Sequence, residues 1–218
     1  MKKLFEIPDL VESSFLNRPN RFVAEIKYEG RHSIAHIHDP GRLRELLIPD
    51  ARLLMAKGTG KLPWYIKAVY HSNEWILIDS ALQRNIATKL FTIMDEFKDF
   101  QEIRAEIPLG NSRIDFMLDE VPLECKGVSL VKEDVALFPD APTKRGTRHV
   151  EEILKYNGMI LFIIFRSSTS FAPNIRMDPE FSEKLKEARN NNVPIICAQI
   201  KFDGKNVYYT GRVPLGEF

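Results

Sequence analysis

Hydrophobic and polar positions change period near residue 80. Before it, short apolar runs at 21–28, 33–38, 51–56, 64–70 and 75–79 alternate with turn chemistry at Glu29-Gly30, Ile48-Pro49-Asp50, Gly58-Thr59-Gly60 and Ser72-Asn73. Such punctuation predicts an all-β segment with one brief helical piece at 42–47. A small closed barrel of the OB type fits five short strands; an SH3-like barrel or a β-extension of the second domain are the alternatives. After residue 80 the pattern becomes helical, with apolar residues at 82, 86, 90, 93 and 97, and Ser80 with Gln83 forms a candidate capping box. Strand patterns follow at 101–107, 112–118 and 121–126, then a polar loop and a helix over 147–157 ended by Gly158. The run Met-Ile-Leu-Phe-Ile-Ile-Phe at 159–165 is apolar throughout and predicts a strand buried on both faces. Asp178-Pro179 supplies N-cap and N1 chemistry for a helix to about Arg189, and a hairpin over 195–202 and 206–210 closes the chain. The expected architecture is two-domain: an OB-like β-barrel over 1–80, and an α-β-β-β-α-β mixed sheet flanked by helices over 81–218.

Composition narrows the function classes. At 218 residues, with 44% hydrophobic and 28% charged residues, the chain reads as globular. No apolar run approaches the ~20 residues that span a bilayer, and the N-terminus lacks the apolar core of a signal peptide, so a cytoplasmic location with no membrane partner is expected. Cys125 and Cys197 sit in apolar runs without metal-ligand spacing and are expected as buried thiols. A net charge of +1 excludes a uniformly basic nucleic-acid binder and leaves room for a local basic groove. His32, His36 and His38 do not follow a metal-ligand pattern, and Gly58-Thr59-Gly60-Lys61 lacks the first glycine of a P-loop.

The chemistry concentrates in residues 112–127, Ser-Arg-Ile-Asp-Phe-Met-Leu-Asp-Glu-Val-Pro-Leu-Glu-Cys-Lys-Gly. Glu124 and Lys126 are two apart on one strand and share a face; Asp115 lies on the strand before it. Two carboxylates with an ammonium beside them suit a hard divalent cation and a water next to it. Charged triplets are common, and a solvated hairpin face is the bland explanation. The apolar neighbours Ile114, Phe116, Leu123 and Val128 argue against it, because charges on an otherwise buried sheet need a partner or a metal. Glu106 is a third candidate acid, for the metal site or for contact with Lys126; pairing with Arg104 or Arg113 is the alternative. Lys144, Arg145 and Arg148 surround a helix start, where free N–H groups and positive side chains favour a phosphate. His149 and Glu152 share a helix face and either extend the site or serve as structural residues. In the barrel, Phe22, Tyr28, Trp64, Tyr65 and Tyr70 are candidate stacking platforms, and Arg21, Arg42, Arg44, Lys57 and Lys61 candidate phosphate contacts.

The order Asp115…Glu124-Cys125-Lys126 inside an αβββαβ pattern resembles the PD-(D/E)xK nuclease superfamily. That resemblance implies Asp115 and Glu124 as ligands of Mg²⁺ (Mn²⁺ as the alternative) and Lys126 at the attacking water. His36, Asp39-Pro40-Gly41-Arg42-Leu43, residues 112–116, Glu124-Cys125-Lys126 and residues 138–146 are together similar to the sugar fermentation stimulation protein A family over nearly the full length. This implies an OB-like domain, a restriction-endonuclease-like domain and non-specific DNA binding associated in bacteria with regulation of maltose metabolism. The expected function is therefore metal-dependent phosphodiester hydrolysis on DNA, through Asp115, Glu124, Lys126 and Glu106. DNA contacts are expected from Arg42, Arg44, Lys61, Arg113, Lys144, Arg145, Arg148 and His149. The alternative is a regulatory protein that keeps the nuclease fold and binds DNA without cutting it; a homodimer is left open. Where this chain has Asp39-Pro40-Gly41 and Lys144, the bacterial pattern has Asn-Thr-Gly and Glu, so the second loop is more basic here.

Overall fold

The computed structural model describes residues 1–39 and 41–218; Pro40 of the Asp39-Pro40-Gly41 motif lies outside the described residues. The chain divides into two compact units, residues 1–82 with 200–210, and residues 83–199 with 211–218.

The first unit contains β1 (Lys2–Glu6), β2 (Val11–Asn20), β3 (Val23–Tyr28), β4 (Arg31–His36), β5 (Arg52–Lys57), β6 (Trp64–His71) and β7 (Glu74–Leu77). Strands β2 to β6 close in the order β2-β3-β4-β6-β5-β2, with β4 and β6 parallel and the other neighbours antiparallel. This is the five-stranded OB barrel, whose closure leaves no open edge among those strands. Inward positions alternate along each strand, as Ala24 and Ile26 on β3 and Ala35 on β4 do, and all three are fully buried. Two hairpins turn through paired positive φ, at Glu29-Gly30 and Ser72-Asn73, the primed geometry that matches strand twist. Residues 42–47 are a correction to the predicted helical piece: they make one turn, with Leu46 and Leu47 N–H both donating to Leu43 O. Leu43 stands at φ 49°, a conformation that cannot propagate a right-handed helix. Strands β1 and β2 were not predicted, and the reason is composition. Val11–Asn20 carries Glu12, Ser13, Ser14, Asn17, Arg18, Pro19 and Asn20, so ladder bonds to β3 and β5 hold it rather than an apolar face.

The second unit begins with α1 (Gln83–Phe91), preceded by a 3₁₀ turn at Ser80–Leu82 and followed by another at Asp95–Phe97. The expected capping box is absent. Ser80 Oγ donates to His38 O, and Asp79 Oδ1 accepts from Ala81 N–H (3.1 Å) in its place. The sheet is built from β8 (Ile103–Leu109), β9 (Ser112–Leu118) and β10 (Val121–Val128). A short sheet of β11 (Val131–Lys132), β12 (Val135–Phe138) and β14 (Ser170–Pro173) stands apart. Then come α2 (Lys144–Lys155), β13 (Met159–Ile164), α3 (Pro179–Asn190) and β15 (Ile195–Phe202); β16 (Asn206–Arg212), most of it in the first unit, pairs with β1. Strands β8, β9 and β10 form an antiparallel meander, and β10, β13 and β15 run parallel. Every residue of β13 is buried, as its unbroken apolar run requires. Phe162 and Phe171 stack at 4.2 Å in a core that also takes Phe181 and Leu185 from α3 and Val150 and Ile153 from α2. Asp178 caps α3 through Phe181 N–H (3.1 Å) and also accepts from Thr143 N–H (2.7 Å), the N-cap of α2, so one carboxylate fixes both helix starts. Among the described residues no helix is long and apolar enough to cross a membrane. Cys125 and Cys197 are free buried thiols, and burial pushes both up from the usual thiol range.

Candidate active site

The site forms where two strands of the meander part. Strand β9 pairs with β10 through Leu118–Val121, Met117–Pro122 and Phe116–Leu123, and the ladder stops there. One step further, the same register sets Asp115 across from Glu124. There the Cys125 N–H is taken by Asp115 Oδ2 (2.8 Å) instead of by a backbone carbonyl. Beyond that point β10 stays fixed by its parallel partner β13, from Leu123–Met159 to Val128–Ile164. Asp115, Glu124 and Lys126 thus face one way on rigid strands, as the two-residue spacing predicted.

Glu124 is buried, with its side chain 3% exposed. Its Oε1 receives both the Lys126 ammonium and His149 Nδ1, while its Oε2 is buried without a partner. Arg145 Nε–H donates to His149 Nε2 (3.3 Å). A guanidinium only donates, so Nε2 accepts, and the ring proton on Nδ1 goes to Glu124. Burial pushes the Glu124 carboxyl up, but Lys126 and the His149 donor outweigh it and hold the group below the usual carboxylate range. Asp115 moves the other way. Burial and the charge on Glu124 raise it, and Lys126 and the Cys125 amide offset only part of that. Two acids on one face therefore differ: Lys126 and His149 hold Glu124 charged through one of its oxygens, and Asp115 faces a negative neighbour.

The remaining predicted residues separate into surface and interior. Glu106 lies across from Asp115 in the β8–β9 register at φ 56°, exposed, with its carboxylate held by Arg84 and by Arg113 (3.5 Å). Its charge is spent on Arg113, one of the pairings weighed for it, and on Arg84, which was not. His149, expected at a DNA surface, is instead 2% exposed on the sheet-facing side of α2, where it orients Glu124 and does not reach solvent. Glu152, one turn on, anchors the β8–β9 turn: its Oε1 accepts from Asn111 N–H (3.1 Å), and a Cβ on Gly110 would meet its carboxylate at 2.4 Å. Arg113, Lys144, Arg145 and Arg148 are exposed on the second unit, and Arg42, Arg44 and Lys61 on the first. A Cβ at Gly127 would meet the Gln83 side-chain amide of α1 at 2.3 Å, so α1 lies close against this end of β10. Arg84 escaped the sequence reading, and Gln83 entered it only as a capping residue; their trace as neighbours of the site was their place on the polar side of the α1 stripe.

The donor set fits a hard divalent cation. A buried carboxylate oxygen without a partner stands beside a second carboxylate that repels it, and a bound cation would relieve both. Among the described residues no three His, Cys, Asp or Glu side chains gather as a cage.

Residues 78–206 match the family model of the sugar fermentation stimulation protein RE domain, and residues 16–78 match that of the SfsA N-terminal OB domain. The chain belongs to the sugar fermentation stimulation protein family. A homolog in this family from Methanothermobacter thermautotrophicus is 40% identical over 205 residues, covering 87% of this chain and 85% of that protein. Another, from Methanococcoides burtonii, is 37% identical over 233 residues, covering 97% and 94%. The structure of Pyrococcus furiosus SfsA in complex with Ca²⁺ superposes over the whole of both chains with a TM-score of 0.93 at 28% identity. In this family member the RE-domain match contains every residue of the Asp115–Glu124 site, and the OB-domain match contains β3 to β6 of the barrel and the second half of β2.

Proposed function

We propose that this family member hydrolyses phosphodiester bonds in DNA with a divalent metal, Mg²⁺ or Mn²⁺, held by Asp115 and Glu124. The observation that carries this reading is the buried, unpartnered Oε2 of Glu124 beside Asp115. Pure DNA binding has no use for two acids on one face, since they repel a phosphate. When bound, the metal would offset phosphate charge and lower the pKa of a coordinated water. Lys126 commits one of its three donors to Glu124, leaving two to orient a water or a phosphate oxygen. His149 fixes the Glu124 carboxylate from behind, so its second oxygen points where the first is not needed. Lys144 and Arg145 in the first turn of α2, which holds no acid, and Arg148 in the turn after it would complement a phosphate there. The relative crystallised with Ca²⁺ supports a hard cation as the class of ion for this fold.

Incubating wild type, Asp115→Ala and Lys126→Ala with single-stranded, duplex and branched DNA tests the reading. Wild type is expected to cut at least one substrate in Mg²⁺ or Mn²⁺, and both variants to lose that cleavage by about a hundredfold or more. Equal inertness of all three with every metal refutes it. A second reading, DNA binding without cleavage, draws on one observation: Lys126 already neutralises Glu124 within the chain. Tight DNA binding by an inert wild type would decide for it.

A further inference from the structure

We propose that Phe22 and His36 of the barrel form a stacking subsite for unpaired bases of single-stranded DNA. This deepens the DNA reading above by naming the form of the substrate, and the binding it describes requires no metal. Phe22 lies in the loop between β2 and β3 and stays 46% exposed, an aromatic ring that the core has not absorbed. Its plane is within 9° of the His36 ring, with centroids 6.5 Å apart, so the two rings present parallel faces. Ile34, two residues before His36 on the same face of β4, is also exposed. In the OB fold the first loop and the second and third strands, here β3 and β4, form the ligand face.

The surroundings supply charge and rigidity. The Arg21 guanidinium sits 5.0 Å from the Phe22 ring centroid. Arg18 donates to four carbonyls: Gly41 O and Arg42 O through Nη1 (both 2.9 Å), and Arg21 O (2.7 Å) and Asp39 O (2.9 Å) through Nη2. One side chain thereby ties the loop carrying Phe22 to Asp39, Gly41 and Arg42. A base reaching Phe22 therefore meets a loop already ordered. Behind them, Tyr65 spends its one proton on the buried Asp79 (3.0 Å), so His38 Nδ1–H must donate to Tyr65, and His38 Nε2 remains an acceptor for a base edge. Flat parallel rings with the Arg21 guanidinium over one of them match the base and phosphate of a flexible single strand. A duplex keeps its base faces stacked inside, and a neutral sugar chain has no use for the guanidinium charge.

The test is fluorescence anisotropy of an end-labelled oligo-dT of about 12 nucleotides, a length within the usual OB site. The full chain is used with EDTA, against a duplex of equal length. The expected result is tighter binding of the single strand, falling as salt rises. Phe22→Leu, on an exposed loop where it leaves the core intact, should weaken oligo-dT binding between about fivefold and about a hundredfold. Phe22→Trp should restore it. Wild-type affinity in Phe22→Leu overturns the subsite, and so does duplex binding as tight as oligo-dT, or displacement of oligo-dT by a neutral glucan. Cleavage is scored separately. A chain that cuts DNA in metal while Phe22→Leu binds normally refutes only this subsite, whereas an inert chain with Phe22-dependent binding refutes only the hydrolase.

Discussion

Replacing His149 with alanine, alone and together with Glu124→Gln, asks whether the imidazole is coupled to the buried carboxylate. His149 is 2% exposed and gives its Nδ1 proton to Glu124 Oε1. With the ring gone, Glu124 keeps Lys126 as its one hydrogen-bond partner, since Oε2 already has none. A hydrogen bond to a charged group is worth about 1.5–3 kcal/mol, and the lost apolar contact of the ring adds about 1 kcal/mol. The single substitution should therefore cost about 2.5–4 kcal/mol, a large part of the ~5–15 kcal/mol that holds an ordinary domain together. Gln at 124 is neutral and has already lost the charge-assisted part, so His149→Ala should cost less in that background. The coupling expected is about 1.5–2 kcal/mol.

The chain lends itself to this measurement. Both tryptophans, Trp64 and Trp75, lie in the barrel unit, while α1, α2 and α3 all lie in the unit that carries the site. Far-UV circular dichroism therefore follows the site's own unit during urea unfolding in chelator, and tryptophan fluorescence follows the other. The loss should appear in the dichroism midpoint and leave the fluorescence midpoint nearly unmoved. Costs that add to within about 0.5 kcal/mol across the cycle would refute the coupling and make His149 a packing residue.

Two further outcomes follow from named contacts. Asp115→Asn should stabilise the metal-free chain, because Asn can still accept the Cys125 N–H while removing the charge that Glu124 opposes. Since the folded carboxyl is raised, the gain should be absent below the ordinary carboxylate range, where both states are protonated, and grow as pH rises through the folded value; urea midpoints against pH check this, and a destabilised Asn variant at neutral pH refutes it. Asp178→Ala should cost about 2–4 kcal/mol, combining a lost helix cap with a stranded Thr143 N–H; a thermal melt showing a loss under about 1 kcal/mol would place both helix starts under other control.

How much of this was legible depends on how locally each feature is determined. Strand β13 announced itself because a strand covered on both faces cannot carry a polar residue. Asp178-Pro179 did so because capping chemistry is confined to adjacent residues. The shared face of Glu124 and Lys126 needed only the two-residue period of a strand. By contrast β2, with seven polar residues or proline among its ten, is held by neighbours distant in sequence. The two-residue β11 and the four-residue β12 and β14 are too short for a period to show. The division of labour between the acids was likewise hidden. Whether Glu106 meets a metal or two arginines depends on Arg84, more than twenty positions away (|i−j|=22). The burial of His149 did leave a trace, since it falls on the stripe with Val150 and Ile153, and a polar ring on that stripe requires a buried partner.

The opposite shifts of the two acids bear on what the site is for. A salt-bridged pair kept for stability would satisfy both carboxylates. Here Lys126 and His149 both converge on one oxygen of Glu124, while the other oxygen and Asp115 are left under strain from each other. Strain maintained on rigid strands, at a point where a ladder has been broken to expose it, is costly to the fold. A cation held by the two acids would lower that cost, and by the same interaction that would hold the cation in place. That is why Asn at 115 should make the chain more stable and, in the same stroke, unable to use metal. A purely structural role for Asp115 predicts the reverse on the first count and nothing on the second.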